Sequence, residues 1–275
     1  MTNWKKYNGA LIPDQPPHLE IDDSESLIEK KISANNVFFA RWTTKFDCKE
    51  ETDFWYIICD KFTPVELLSS NTRNNVRRGL KRCRVERVDV FFIIKNCYSV
   101  YKAAFDNYHG HLSPILKQEF EREHLLYTNS KVWDFWIVYE NETDQVIAYT
   151  RNKIEDNQCE LCTTKFHPNF LRKFYPSEAL FYSMNKYYLQ EMNFDYINDG
   201  ARSISHETNI QEFLIKKFKF RKAYCKLNII YNSRIGFLVK SLYPFRSPLK
   251  LLNFGPFIKL NILLNQEKIR RSYDQ

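Results

Sequence analysis

Three consecutive runs in the middle of the chain constrain its fold most. "VWDFWIVYEN", "QVIAYTRNKI" and "QCELCTTKF" are rich in β-branched and aromatic residues, and only short polar stretches separate them. That is the pattern of an antiparallel three-strand meander. The next run, "SEALFYSMNKYYLQEM", puts Leu180, Met184, Tyr187 and Tyr188 along one helical face, and "FDYIND" after it reads as a short strand. A helix between the meander and a further strand is a crossover connection, so the sheet is expected to be mixed. The fold class predicted is α/β (α+β), a mostly antiparallel sheet flanked by helices.

The surrounding chain extends this order. "RVERVDVFFII" reads as a strand, and "NCYSVYKAAFDNYHG" as an amphipathic helix with Tyr101, Ala104, Phe105 and Tyr108 on one face. "ILKQEFEREHLLY" is a second helix. After "FDYIND" come a polar loop, the helix "NIQEFLIKKF" and the strand "KAYCKLNIIY". Upstream, "NVFFARWTTKF" and "FWYIICDKF", joined by the polar "DCKEETD", read as an antiparallel hairpin. "TPVELLSSNTRNNVRRGLKRC" predicts a basic helix with Val76, Leu80 and Cys83 as a narrow apolar stripe. Gly79 weakens that helix by about 1 kcal/mol relative to Ala, so another element should hold it. Three regions follow: residues 1–83, a hairpin plus basic helix; 84–232, the main domain; and 233–275, a basic amphipathic C-terminal extension.

With 275 residues, 44% of them hydrophobic, the chain can bury one sizeable core and a subdomain. The opening "MTNWKKYNGALIPDQPPH" has two lysines but no apolar run behind them, and no stretch of about 18 apolar residues occurs. These features predict a cytoplasmic protein; contact with the inner face of the membrane would come from residues 233–275. The seven cysteines are scattered and read as reduced. Cys159 and Cys162, three apart on a strand, should point to opposite faces, so no metal site is expected there.

The net charge of +8 is concentrated. Eleven Lys and Arg residues and no acid lie between Glu212 and Glu267, and the rest of the chain is slightly acidic. A local positive surface calls for an anionic partner: phosphate, lipid headgroup or nucleic acid.

The order of elements from 84 to 232 resembles the acyltransferase fold of the GCN5-related N-acetyltransferase (GNAT) superfamily. "NIQEFLIKKFKF" matches a helix that begins near an Asn, here Asn209, and ends in a "GF"-like pair, here at Phe220. The basic "NTRNNVRRGLKR" and the crossover "YPSEALFY" are more similar to the Fem-type branch, whose members transfer aminoacyl groups onto cell-wall precursors. Coenzyme A-using members carry a glycine-rich pyrophosphate loop before the crossover helix. Here that run is "LRKFYPSEAL", and no Gly occurs between Gly110 and Gly200. Fem-type members lack the loop as well. The Tyr often used as a general acid is also missing, with Ile215 and Lys216 in its place.

The resemblance implies a donor, either acyl-CoA or aminoacyl-tRNA, with tRNA entering only as donor, and no metal. It places Thr164, Lys165 and Phe166 beside the acyl group, with Arg172, Ser177 and Asn209 completing the donor site and Ser177 capping the crossover helix. In the polar loop, Asp199 is a candidate base, and Ser203 and His206 are candidate catalytic partners just past a strand's C-terminal end. Thr208 with Gln211, or Asn209 with Glu212, also forms a plain capping box there. Tyr108, His109 and His111 are expected to shape the acceptor pocket, and Arg73 and Arg77 to meet a phosphate. The acceptor expected is an amine or hydroxyl of a phosphate-bearing, lipid-linked envelope sugar precursor. Residues 233–275 would touch the membrane or pack across the domain. Two alternatives stand beside this reading: a non-catalytic nucleic-acid-binding protein, and a peripheral membrane adaptor with an inactive acyltransferase fold.

Overall fold

The computed structural model describes residues 1–106, 113–204, 209–252 and 254–273. In chain order the elements are β1 (Trp4–Tyr7), β2 (Ala10–Pro13), α1 (Glu25–Asn35), β3 (Phe39–Cys48), β4 (Trp55–Cys59), α2 (Ser70–Arg82), β5 (Cys83–Val88), α3 (Val90–Asn96), α4 (Tyr98–Asp106) and α5 (Lys117–Leu125). Then come β6 (Trp133–Glu140), β7 (Val146–Glu155), β8 (Gln158–Phe166), α6 (Leu171–Phe174), α7 (Pro176–Asn185), β9 (Tyr196–Ala201), α8 (Asn209–Phe218), β10 (Arg221–Tyr231), α9 (Ser233–Leu242), α10 (Arg246–Leu249) and α11 (Pro256–Ser272). They fall into two compact units. The first comprises Met1–Tyr56, Ala201–Thr208 and Lys222–Gln275; the second comprises Ile57–Gly200 and Asn209–Arg221.

The second unit holds the expected meander. β5, β6, β7 and β8 pair antiparallel in sequence order, and β9 returns parallel to β8 after α7. The β7–β8 turn is tight because Asp156 and Asn157 both accept left-handed backbone angles (φ 48° and 57°), the geometry a two-residue hairpin needs. One face of this sheet is apolar: Phe135, Ile137 and Tyr149 pack with Val90, Ile93, Val100 and Phe120 from α3, α4 and α5.

The opposite face carries a buried polar chain against α7 and the π-helical turn that follows it (Lys186–Glu191). The Tyr188 hydroxyl donates to Asp134 Oδ2 and accepts from Trp136 Nε1 (2.8 Å) and Asn152 Nδ2 (3.2 Å). Arg87 closes the chain with three charge-assisted bonds to Asp134 (3.0, 3.1 and 2.9 Å). Buried polar groups are tolerated because each finds a partner. The π turn is what brings both Tyr187 and Tyr188 onto this face, and Tyr187 receives a further bond from Arg87.

In the first unit β1 pairs antiparallel with β2, β2 parallel with β3, and β3 antiparallel with β10. The expected β3–β4 hairpin is therefore corrected. β3 binds β2 and β10, with Phe39 opposite Tyr231 and Thr43 opposite Leu227, because the later and longer β10 offers a better matched partner. A second correction concerns "VDVFFII". β5 ends at Val88, and the Asp89 carboxylate accepts from the Phe92 amide (2.8 Å), so the apolar run becomes α3.

A third correction concerns α2. Its buried stripe is Thr72, Val76 and Gly79, continued by Cys83, while Leu80 faces outward at 41% exposure. Gly79 is where α2 crosses the start of α7. A Cβ there would lie 2.7 Å from the Tyr175 carbonyl oxygen and 3.2 Å from Ala179 Cβ. The helix former that propensity prefers is thus excluded by packing.

Two stability outcomes follow. Gly79→Ala lowers the urea midpoint by an amount equivalent to about 1–3 kcal/mol, against the gain that helix propensity alone predicts. Tyr188→Phe, which removes one hydrogen bond from each of three buried partners that keep another, costs about 0.5–1.5 kcal/mol in the same measurement.

Candidate functional site

The site begins where two strands stop pairing. β8 and β9 are registered only through Gln158↔Tyr196, Cys159↔Ile197 and Glu160↔Asn198. Both continue, β8 to Phe166 and β9 to Ala201, without further registered pairs. The break coincides with a bulge on the other edge of β8: Asn152 faces Leu161 and Arg151 faces Thr163, leaving Cys162 over. A bulge bends and twists its strand, which turns the far half of β8 off the line of β9. Cys162 is exposed and Cys159 buried, as the strand alternation requires.

Asp199 is the first residue of β9 past the paired segment. Buried Asn198 fixes the backbone around it, its Oδ1 accepting from the Gly200 amide (2.7 Å), and Gly200 adopts φ 85°. That left-handed angle favours glycine. Burial pushes the Asp199 carboxyl up to about 7. A carboxylate in that range is half ionised at neutral pH, the condition for a general base.

The three β8 candidates divide between faces. Thr164 and Phe166 point toward α7, the former with its hydroxyl 3.3 Å from Thr150 and the latter against Phe181 (ring centroids 6.2 Å). Lys165 points to the other face, its ammonium 5.7 Å from the Phe105 ring centre of α4. Thr150 also donates to the Thr163 carbonyl (2.8 Å), which ties the bulged strand to its neighbour. Only two of the three residues therefore share a face with the crossover helix.

The start of that helix is already filled. Tyr175, in the left-handed region at φ 56°, stands at the N-cap and Pro176 at the first helical position, so the expected Ser177 cap is corrected. The Ser177 hydroxyl instead donates to Glu178 Oε2 (2.7 Å). Glu178, 5% exposed, also accepts from Asn75 of α2 (3.3 Å) and lies 3.8 Å from the Lys217 ammonium of α8. A carboxylate in the first turn answers the helix dipole from within the protein. α2 and the start of β5 cover the same end, through Gly79 against Tyr175 and Cys83 Sγ donating to the Phe174 carbonyl (3.4 Å). Protein groups therefore close around the first turn of α7. The sequence signal for this was an acid in the first helical turn, at Glu178.

Arg73 and Arg77 turn toward the segment before α2. Arg73 donates to the Glu66 carbonyl (3.1 Å), and Arg77 lies 3.8 Å from the Glu66 carboxylate. Arg78, Lys81 and Arg82 face outward, and Arg82 donates to the Lys173 carbonyl of α6. Exposed Arg172 and Lys173 are thereby joined to the exposed cations of α2. Two basic segments about ninety residues apart in sequence make one positive surface.

Asn209 is exposed as the first residue of α8. Glu212 pairs with Lys216 (2.8 Å) one turn on, in place of the expected box with Asn209. At the far end of α8, Lys219 takes φ 61°, where the resembled pair has Gly, and Phe220 behind it is buried. Ser203 belongs to the first unit and is partly buried. Tyr108, His109, His111, His206 and Thr208 lie outside the described residues.

No protein-family model matches the sequence, and no curated protein matches it. Solved structures do match. The C-terminal domain of a putative lysylphosphatidylglycerol synthetase from Agrobacterium fabrum aligns over 86% of this chain and 82% of its own at 13% identity, with a TM-score of 0.54. FemX aligns over 82% and 72% at 13% identity, with a TM-score of 0.53. L-PGS from Bacillus licheniformis aligns over 98% and 85% at 11% identity, with a TM-score of 0.51. At these identities the likeness establishes the fold. It is the GNAT-like, Fem-like fold expected from the order of elements: a mixed, mostly antiparallel sheet flanked by helices.

Proposed function

We propose that this protein is an aminoacyltransferase of the Fem-like kind. It takes an aminoacyl group from aminoacyl-tRNA and joins it to an amine or hydroxyl of a phosphate-bearing, lipid-linked envelope precursor. The observation that carries the reading is Asp199, a carboxyl with its pKa raised to about 7, immediately past the last registered β8–β9 pair. An attacking ammonium must lose a proton before it can attack an ester, and a base poised near neutrality removes it with the least mismatch.

The donor is argued from the crossover helix. Glu178 and α2 fill the end where a coenzyme A pyrophosphate would bind, so acyl-CoA is the weaker alternative. The joined surface of Arg78, Lys81, Arg82, Arg172 and Lys173 suits a polyphosphate backbone such as tRNA. The same surface favours a second reading, a non-catalytic nucleic-acid-binding protein, which requires RNA binding without transfer. Among the described residues no helix is long and apolar enough to cross a membrane, so a lipid-linked acceptor would be met from the surface.

The test is transfer of a radiolabelled amino acid from charged tRNA to lipid-linked and soluble envelope precursors, with acyl-CoA as the competing donor. Aminoacyl transfer is expected; a protein inactive with every donor and acceptor refutes the reading. Activity should rise with pH through a single ionisation near 7. Asp199→Asn should lower kcat about 10²–10⁴-fold and flatten that profile. Because the Asp199 pKa is raised on folding, the folded state binds more protons there than the unfolded one, so its stability falls between about pH 4 and pH 7. Asp199→Asn should remove that fall, as urea titrations at several pH values would show. Charge reversal at Arg78, Lys81 and Arg172 should weaken tRNA binding and reduce its salt dependence.

A further inference from the structure

The C-terminal segment of the first unit has an inverted surface. Its inward half is anchored by polar groups. Glu267 of α11 is buried, accepts from Arg270 (2.8 Å), Arg271 (2.7 Å) and the Tyr231 hydroxyl of β10 (3.1 Å), and neighbours Gln266, which accepts from Arg41 of β3 (2.9 Å). Burial alone would raise the Glu267 carboxyl, but the bonds from the two arginines hold it below the ordinary range. Apolar anchors are few there: Val239, Leu264 and Ile269.

The outward half is apolar. Phe237 is 75% exposed, Phe245 60%, Leu251 85% and Phe254 59%, all within α9, α10 and the approach to α11. Soluble proteins scatter exposed large apolar residues singly, whereas contiguous groups mark interaction surfaces. Between them stand Arg234, Lys240, Arg246, Lys250 and Lys259, with no acidic residue from 213 to 266. Arg246 and Arg271 even stack on one ring, Tyr243, at 4.4 and 3.9 Å. Arg271 is met there by Glu267, and Arg246 donates to the neutral Tyr243 carbonyl (3.2 Å).

We infer that α9, α10 and the N-terminal turn of α11 form a docking surface for an anionic lipid bilayer. The phenylalanines and Leu251 enter the headgroup–acyl boundary, and the interleaved cations meet lipid phosphates. Charge complementarity chooses this occupant over a second copy of the chain, since two such surfaces facing each other would bring ten cations together without an acid. The inference deepens the membrane side of the proposed function. It has its own readout, because vesicle binding measures this surface and transfer to a soluble acceptor measures the β8–β9 opening.

The experiment is flotation of the full chain with phosphatidylcholine vesicles, with and without phosphatidylglycerol. Binding is expected only to the anionic vesicles and should fall with added salt. Two variants separate the contributions: Phe237→Ser/Phe245→Ser/Phe254→Ser, and Lys240→Glu/Lys250→Glu. Each should weaken binding by about tenfold or more while circular dichroism stays unchanged. Absence of flotation at low salt, or flotation unaffected in both variants, overturns the inference. So does a dimer in solution that the phenylalanine variants dissociate without any lipid binding, because the surface would then be a self-interface.

Discussion

The geometry of the candidate site depends on a hydrogen-bond ladder that stops. Three registered pairs hold β8 to β9, and a bulge at Cys162 then turns β8 aside. A strand pair that continued would leave no room beside Asp199 and would satisfy the backbone groups an acyl oxygen could otherwise use. The bulge is held in place from the opposite edge, where Thr150 reaches the Thr163 carbonyl. On that same face the chain from Asn152 through Tyr188 to Asp134 and Arg87 spans the strands β5 to β7. A fully partnered polar chain of this kind resists register slippage better than apolar packing does, since a slip would strand every member.

In the same unit, protein groups answer the start of the crossover helix α7. A glycine-rich loop lets a phosphate approach the positive end of a helix. Here that positive end is met by an internal carboxylate, Glu178, with Asn75 and Lys217 as its partners. Gly79 is conspicuous because it is not in the loop at all. Its missing side chain admits a neighbouring helix rather than a phosphate.

Much of this was legible in the residues. The meander, the crossover helix, β9 and α8 each carry long or strongly periodic patterns, and the structure places them in the expected order. The failures have local causes. "VDVFFII" is apolar throughout, so periodicity could not separate strand from helix, and a single capping bond from Asp89 decided it. β3 was assigned to its neighbour in sequence, although its partner β10 lies some 180 residues away. β2 is only four residues long and ends in Pro13, below what a pattern can reveal. At the site, Asp199 stood out by position, but its raised pKa comes from burial that no sequence pattern shows. A first-turn acid ordinarily faces solvent, so no pattern marks Glu178 as buried.

The division of the chain has a consequence for its synthesis. The second unit is nearly continuous, needing only α8 and a few flanking residues from beyond Gly200. The first unit is assembled from three separated stretches, and β3 gains its antiparallel neighbour only when β10 has been made. Contacts of such long sequence separation form slowly, after the local ones. During translation the meander unit is therefore poised to fold while β1 to β3 wait with an unpaired edge. The order in which the ribosome releases these segments, and not only their final packing, determines when this chain is most exposed to misassembly.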